Sequence, residues 1–511
     1  MRKPFVFALF ILLYSAAASA QIEVRTEAQV SVASGDHTPL WLNANKYGLS
    51  SLKCNNGYVR AGAFRSIDND STRKWAWGAA LDLAGTSGYT SKAVVQQAYG
   101  ELRWLKGLLT VGSKEQPMEL KNQELSSGAQ TLGINARPVP SVRLSLPDYW
   151  TVPYTRGWLG IKGHIAYGMQ TDDQWQKEFT HEQSKYTKHA KLHTKAGYLR
   201  IGKDEKPISV ELGLEMACQY GGTSHADMGH GNGLVDVENE DGIKGMLRSF
   251  IPSGSDADEG LYINKSGNHL GSYLMRVNMD FKDWYLGVYA DHFFEDHSQM
   301  FFLDYDGYGQ GAEFNEWKES RWFVYDLKDM LLGAELKLKN VSWLNDVVVE
   351  YVYSKYQSGP LYHDRTQYLS DHVAGRDEYY NNYIQNGWQH WGQVMGNPLY
   401  RSPLYNADGQ IKVTSNRFWA WHFGISGDPI CGLHYRLLAT WQRSWGTYAE
   451  PFLDPERNMS LLAEAEYRFA PHTSLKGWSV KGAFGMDHGA LLGNNVGGQL
   501  TVAKRFNINK K

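Results

Sequence analysis

Cysteine is nearly missing: Cys54, Cys218 and Cys431 are the three in 511 residues. Odd in number and widely spaced, they match neither a disulfide framework nor a zinc spacing. Net charge is also close to nil, at −2, so no basic field argues for nucleic acid. Beyond the first twenty residues no apolar run is long enough to cross a bilayer as a helix. Proline- or serine-rich linkers and long runs of like charge are missing too, so nothing marks an internal domain boundary. In a strand-then-helix context there is no nucleophile elbow, phosphate loop or dinucleotide fingerprint. An enzyme is not expected.

The first twenty residues form a separate unit. Arg2 and Lys3 precede an apolar stretch over 5–14, and small residues end it at Ala18-Ser19-Ala20. This is the pattern of a cleavable secretory signal peptide, with cleavage before Gln21. No cysteine follows the apolar stretch, so a lipid-anchored N-terminus is not expected. The mature chain, 21–511, is then an exported protein of one domain.

What that chain has is alternation. Leu433, Tyr435, Leu437, Ala439 and Trp441 share one strand face, while His434, Arg436, Leu438, Thr440 and Gln442 make a mostly polar second one. Near the end Leu500, Val502 and Phe506 alternate in the same way with Gln499, Thr501 and Arg505. One greasy and one wet face per strand, repeated along an exported chain, predicts an all-β, transmembrane antiparallel β-barrel of the outer membrane. Its negative mean hydropathy is compatible, because only half the strand residues face lipid. Aromatics at 13%, with 31 Tyr and 18 Trp, suit interfacial girdles and sugar-stacking surfaces alike.

Seventeen segments carry the strand pattern, and tight turns are expected at Lys106-Gly107, Lys282-Asp283 and Gly427-Asp428-Pro429. Short turns and long loops should alternate around such a barrel. They do so from Ile208 onward, but earlier they are out of phase by one strand. A further strand over 139–146 repairs the phase, with Val142 and Leu144 facing lipid and Arg143 facing the lumen. The count becomes about eighteen, and both termini fall on the periplasmic side. Pro140 within this segment and Pro138 and Pro147 beside it make it an awkward strand.

Candidate metal ligands are few. His225, Asp227 and His230 in SHADMGHG lack a further ligand at a recognised spacing and are read as a solvated loop. Asp236, Glu238, Glu240 and Asp241 lack the ordered calcium-loop spacing. No metal or cofactor is expected.

Three inter-strand passages stand out: PLWLNANKYG (39–48), SSGAQTLGINARPVP (126–140) and YYNNYIQNGWQHWGQVMGNPL (379–399). With the signal and the barrel pattern they resemble the capsule assembly family called Wzi, in its Bacteroides-like form, over nearly the whole mature chain. That resemblance implies a monomeric eighteen-stranded outer-membrane barrel occluded by its own loops. It also implies a surface lectin that helps attach capsular polysaccharide, its partner besides outer-membrane lipid. Members of the family carry a small periplasmic helical portion, for which no matching amphipathic run is found here.

The residues themselves are compatible with sugar binding. Tyr379, Tyr380, Tyr383, Trp388 and Trp391 crowd one loop beside several Asn and Gln side chains. Flat aromatic faces accept the C–H side of a sugar ring, and amides pair with hydroxyls. Arg137 and Arg401 have the fork geometry for uronic acid carboxylates. The polysaccharide-binding candidates are therefore Tyr383, Trp388, Trp391, Arg137 and Arg401. A second reading stays open, in which these aromatics simply pack loops folded into the lumen. Gly387, Gly392 and Gly396 point to turns or close backbone approaches. The alternative function is a porin or substrate-specific channel, which shares the barrel but needs an open bore.

Overall fold

The structure is a computed structural model. It describes residues 21–70, 73–203, 205–227, 233–250, 267–295, 302–304, 321–323, 328–362, 373–376 and 378–508. The segment read as a signal peptide lies outside them.

Alternating sequence becomes one closed antiparallel sheet of eighteen strands. The first nine are β1 (Ile22–Ser34), β2 (Asn55–Arg65), β3 (Trp75–Ser87), β4 (Ala93–Trp104), β5 (Gly107–Ser113), β6 (Ser141–Thr151), β7 (Leu159–Met169), β8 (Lys191–Ile201) and β9 (Ile208–Tyr220). The second nine are β10 (Asn268–Asp280), β11 (Trp284–Glu295), β12 (Met330–Leu338), β13 (Asp346–Tyr353), β14 (Phe418–Ile430), β15 (Leu433–Gly446), β16 (Pro451–Arg468), β17 (Trp478–Gly489) and β18 (Asn495–Ile508). Each pairs with its chain neighbours, and β1 closes the ring on β18 from Ile22↔Ile508 to Ser34↔Val496. Closure leaves no edge strand unpaired, as a bilayer requires.

The faces divide as the sequence predicts. On β15, Leu437 and Trp441 are exposed outward, while Leu438, Thr440 and Gln442 are buried in the lumen. On β18, Leu500 and Phe506 point out and Gln499 and Thr501 point in. Exposed tryptophans Trp75, Trp104, Trp158, Trp284 and Trp343 all sit beside short turns, forming a girdle at that rim. Among the described residues no helix is long and apolar enough to cross a membrane.

The phase-repairing strand exists as β6, beginning at Ser141 and running on to Thr151. Val142 is 54% and Leu144 61% exposed, whereas Arg143 lines an internal cavity. Pro147 is tolerated because pairing with β7 shifts register between Leu146 and Trp150, where no ladder donor is needed. One turn differs from the sequence reading. Gly427-Asp428-Pro429 is an irregular stretch inside β14, and the chain reverses at Cys431-Gly432. Gly432 takes the positive φ of 84° there, and the Asp428 amide donates to the Ser342 carbonyl of the adjoining turn, so the first signal serves an inter-turn contact. All three cysteines are free.

If Val142 and Leu144 face mid-membrane lipid, Val142→Arg or Leu144→Arg should each cost about 2–4 kcal/mol of barrel stability. Arg143→Leu should cost less. Denaturant unfolding in vesicles, with heat-modifiable gel migration as the assembly check, measures the difference. The reverse ranking would remove β6 from the lipid-facing wall.

Candidate functional site

The bore is filled by three long connections: 35–54 with the short helix α1 (Leu40–Asn43), 114–140, and the part of 354–417 that includes 379–399. Their apolar residues, among them Trp41, Leu125, Tyr379, Trp388 and Tyr400, form one buried cluster with wall residues Phe293, Leu331, Val352 and Phe418. The plug therefore has a hydrophobic core of its own, completed by lumen-facing side chains of the barrel.

Polar groups in that interior must also be satisfied. Carboxylates on the wall do this for 114–140. Glu350 accepts from Ser126 Oγ at 2.6 Å, the Ser127 amide at 2.7 Å and Tyr289 Oη at 2.6 Å. Asp291 accepts from Lys121 Nζ at 2.7 Å and the Gln130 amide at 3.1 Å. Asn122 bridges Glu335 and Asp346, donating to each at 2.8 Å. The wall also holds α1: Asp487 accepts from the Leu40 amide, and Thr440 from Trp41 Nε1, both at 3.0 Å.

The segment 379–399 then locks onto 126–140. Trp388 Nε1 donates to the Thr131 carbonyl at 3.1 Å, and Asn135 Nδ2 to the Val394 carbonyl at 2.9 Å. Tyr380 Oη donates to the Gln130 carbonyl and accepts the Asn397 amide. Gly396 permits this approach: a Cβ there would lie 2.4 Å from the Gln130 oxygen. Gly387 and Gly392 adopt φ of 71° and 77°, the turns their spacing predicts.

The structure separates the five candidate binding residues. Trp388 is 1% exposed and inside the plug core, so its ring is a packing element. Arg401 spends its guanidinium on Asn406 Oδ1, Thr414 Oγ1 and the Tyr405 carbonyl, each at 2.9 Å. Tyr383 is 58% exposed, while Tyr379 and Tyr380 of the same segment are buried. Trp391 is half-buried, with Arg137 stacked 4.3 Å over its ring. Arg137 is tied in turn to Thr90 Oγ1 at 2.7 Å and Ser91 Oγ at 3.0 Å. Trp391 and Arg137 are thus brought together; Arg401 braces a later stretch, 401–414, of the connection that carries Trp391.

Sequence reading missed two residues that seat Trp391. Asp172, fully buried, accepts from the Trp391 amide at 2.9 Å and from Gln389 Nε2 at 3.2 Å. It stands just before helix α2 (Asp173–Thr180), and an acid before a helix is the available sequence signal. His390 has its Nδ1 on the Arg137 carbonyl at 2.9 Å and its Nε2 on the Thr171 amide at 3.1 Å. Nδ1 must donate and Nε2 must accept, which specifies the neutral ring.

Elsewhere, His225 pairs with Asp236 across a small hairpin at 2.8 Å, and Asp241 and Glu240 pair with lysine or arginine. His230 lies outside the described residues. No group of three metal-ligating side chains occurs among the described residues.

Burial pushes the pKa of His390 below the usual histidine value, against the raising influence of nearby Asp172. A lowered folded-state pKa means the unfolded chain takes up a proton first as pH falls. The stabilisation is present above about 6.5 and is lost as pH drops from there towards the folded value. Acidification should therefore speed amide exchange around 388–396 before it affects the barrel strands. His390→Gln should flatten that pH response; an unchanged response would assign it to another group.

No known family model matches the chain, and no curated protein matches it in sequence. Solved structures do match in shape. One is Wzi of Escherichia coli, described as an outer-membrane, carbohydrate-binding β-barrel involved in group 1 capsule assembly. It superposes with a TM-score of 0.54 at 11% identity, covering 98% of this chain and 87% of that one. OccK5 (OpdH) and OprD of Pseudomonas aeruginosa give TM-scores of 0.47 and 0.45, each at 9% identity. These alignments cover 96% and 97% of this chain, and 98% and 96% of the respective neighbours. At such identities the likeness shows the fold: this chain is an eighteen-stranded barrel of the outer-membrane type.

Proposed function

We propose that this barrel is a non-enzymatic surface lectin, a monomer that binds capsular polysaccharide and helps hold and assemble it on the cell. The observation that carries the reading is the bore itself. It is occupied by its own loops, which pack and hydrogen-bond against the wall, and one of those loops presents an exposed aromatic, Tyr383, and a half-buried Trp391 backed by Arg137. A rigid plug suits display better than conduction, because preorganised aromatic faces lose little entropy on binding. The shared fold with a carbohydrate-binding capsule assembly barrel supports the same reading. Buried Trp388 and the internally bonded Arg401 and Arg137 belong to the scaffold of this site, Arg137 backing the Trp391 ring, which leaves Tyr383 and Trp391 as its contact residues.

A strain without the protein should still make capsular polysaccharide but release more of it to the medium. Tyr383→Ala and Trp391→Ala should weaken retention by roughly 1–3 kcal/mol per stacked ring while the barrel still assembles. Trp388→Ala should instead loosen the plug, at about 3–5 kcal/mol for a buried tryptophan. Glycan-panel binding and planar-bilayer conductance of the purified protein are the measurements. Stable open channels with no glycan bound would favour the porin alternative.

A further inference from the structure

On β8 the outward residues near the long-loop end are polar. Lys191, His193 and Lys195 alternate there with lumen-side Leu192, Thr194 and Ala196. Charge on a barrel's lipid face is costly, so these side chains need cover. The connection between β9 and β10 supplies it from outside. Its helix α3 (Gly242–Phe250) packs across β8 and β9. Lys191 pairs with Asp241 at the head of α3, and Lys195 donates to the Phe250 carbonyl at its end, a favourable place for a cation. The Lys195 ammonium also lies 4.1 Å over the Phe250 ring, and Tyr167 Oη donates to the Met246 carbonyl at 3.2 Å.

The helix is turned inside out for a surface element. Gly245 and Ser249 are its buried positions, and a Cβ on Gly245 would sit 3.3 Å from the Tyr220 ring. Ile243 and Leu247, one turn apart, are 76% and 62% exposed, with Met246 beside them. An ordinary amphipathic helix faces its large apolar residues inward. Lys244 and Arg248 both pair with Glu240 at 2.6 Å, so the cations of this helix are held within its own connection. Along β9 the outward Leu212 and Leu214 are exposed to the lipid belt, whereas Met216 and Tyr220 beyond them are covered. The exposed edge of α3 thus continues the belt at the point where the wall turns polar.

We infer that α3 is an interfacial membrane helix, its Ile243, Met246 and Leu247 edge lying against acyl chains of the adjoining leaflet. It replaces a polar stretch of barrel wall with an apolar surface of its own, and the partner it fits is lipid hydrocarbon. Such helices bind through buried apolar area. The inference does not depend on whether the plug binds sugar.

The test uses the full chain in phosphatidylcholine vesicles, with Cys54→Ser and Cys431→Ser and a spin label at Ile243→Cys, Leu247→Cys or Lys244→Cys. Heat-modifiable migration confirms that each labelled barrel is assembled. At 243 and 247 the label should collide more often with oxygen than with a water-soluble nickel chelate, and at 244 the order should reverse. Greater nickel access at both 243 and 247 would put this edge in water and overturn the inference. Low access to both agents there would mean protein covers it, which overturns it equally. Met246→Cys, read the same way, decides the case if one of the first two labels disturbs the helix.

Discussion

Burying long loops inside a barrel is tolerated only where their backbone amides and polar side chains find partners, and wall carboxylates supply them. Glu350, Asp291, Glu335 and Asp346 accept from Ser126, Ser127, Lys121, Asn122 and the Gln130 amide. A buried donor left without an acceptor costs roughly 1–3 kcal/mol, and several are satisfied here at once. The segment 379–399 rests partly on this arrangement, because Trp388, Tyr380 and Val394 bond to 130–135, and it also meets the wall directly, the Tyr380 amide donating to Glu295 and Gln442 to the Leu399 carbonyl. The plug and the loop that carries Trp391 therefore share one set of contacts.

The same division of faces runs the other way outside. Lipid accepts aliphatic and aromatic side chains and penalises charge, so outward Val142 and Leu144 of β6, Leu437 and Trp441 of β15 and Leu500 of β18 are apolar. Where β8 breaks the rule with Lys191, His193 and Lys195, a connection folds over the wall to neutralise and cover them. Inside, wall carboxylates partner groups of the plug, and outside, a loop partners the cations of the wall. Loops in this protein are structural members as much as connections.

Much of this was legible in the sequence. Period-two alternation locates strands because the pleat leaves no other way to keep one face dry. The expected alternation of short and long connections was strong enough to call for β6 despite its prolines. Glycine spacing in 379–399 announced the turns at Gly387 and Gly392. By contrast, Gly427-Asp428-Pro429 has turn chemistry but sits within β14, because the adjoining turn at Ser342 and Asn345 captures it. Trp388 and Tyr383 have similar surroundings in the chain, yet one is buried and the other exposed.

Alternation and the rhythm of short and long connections by themselves determined an antiparallel barrel of about eighteen strands with residues sorted to lipid and lumen. That information is local, since each residue's face follows from its position along its own strand. Which loops enter the bore, which aromatics they spend on packing, and that Asp172 and His390 seat Trp391 were decided only by tertiary structure. Those outcomes depend on partners far away in sequence, such as Ser126 with Glu350 or Trp388 with Thr131, and no local pattern encodes them.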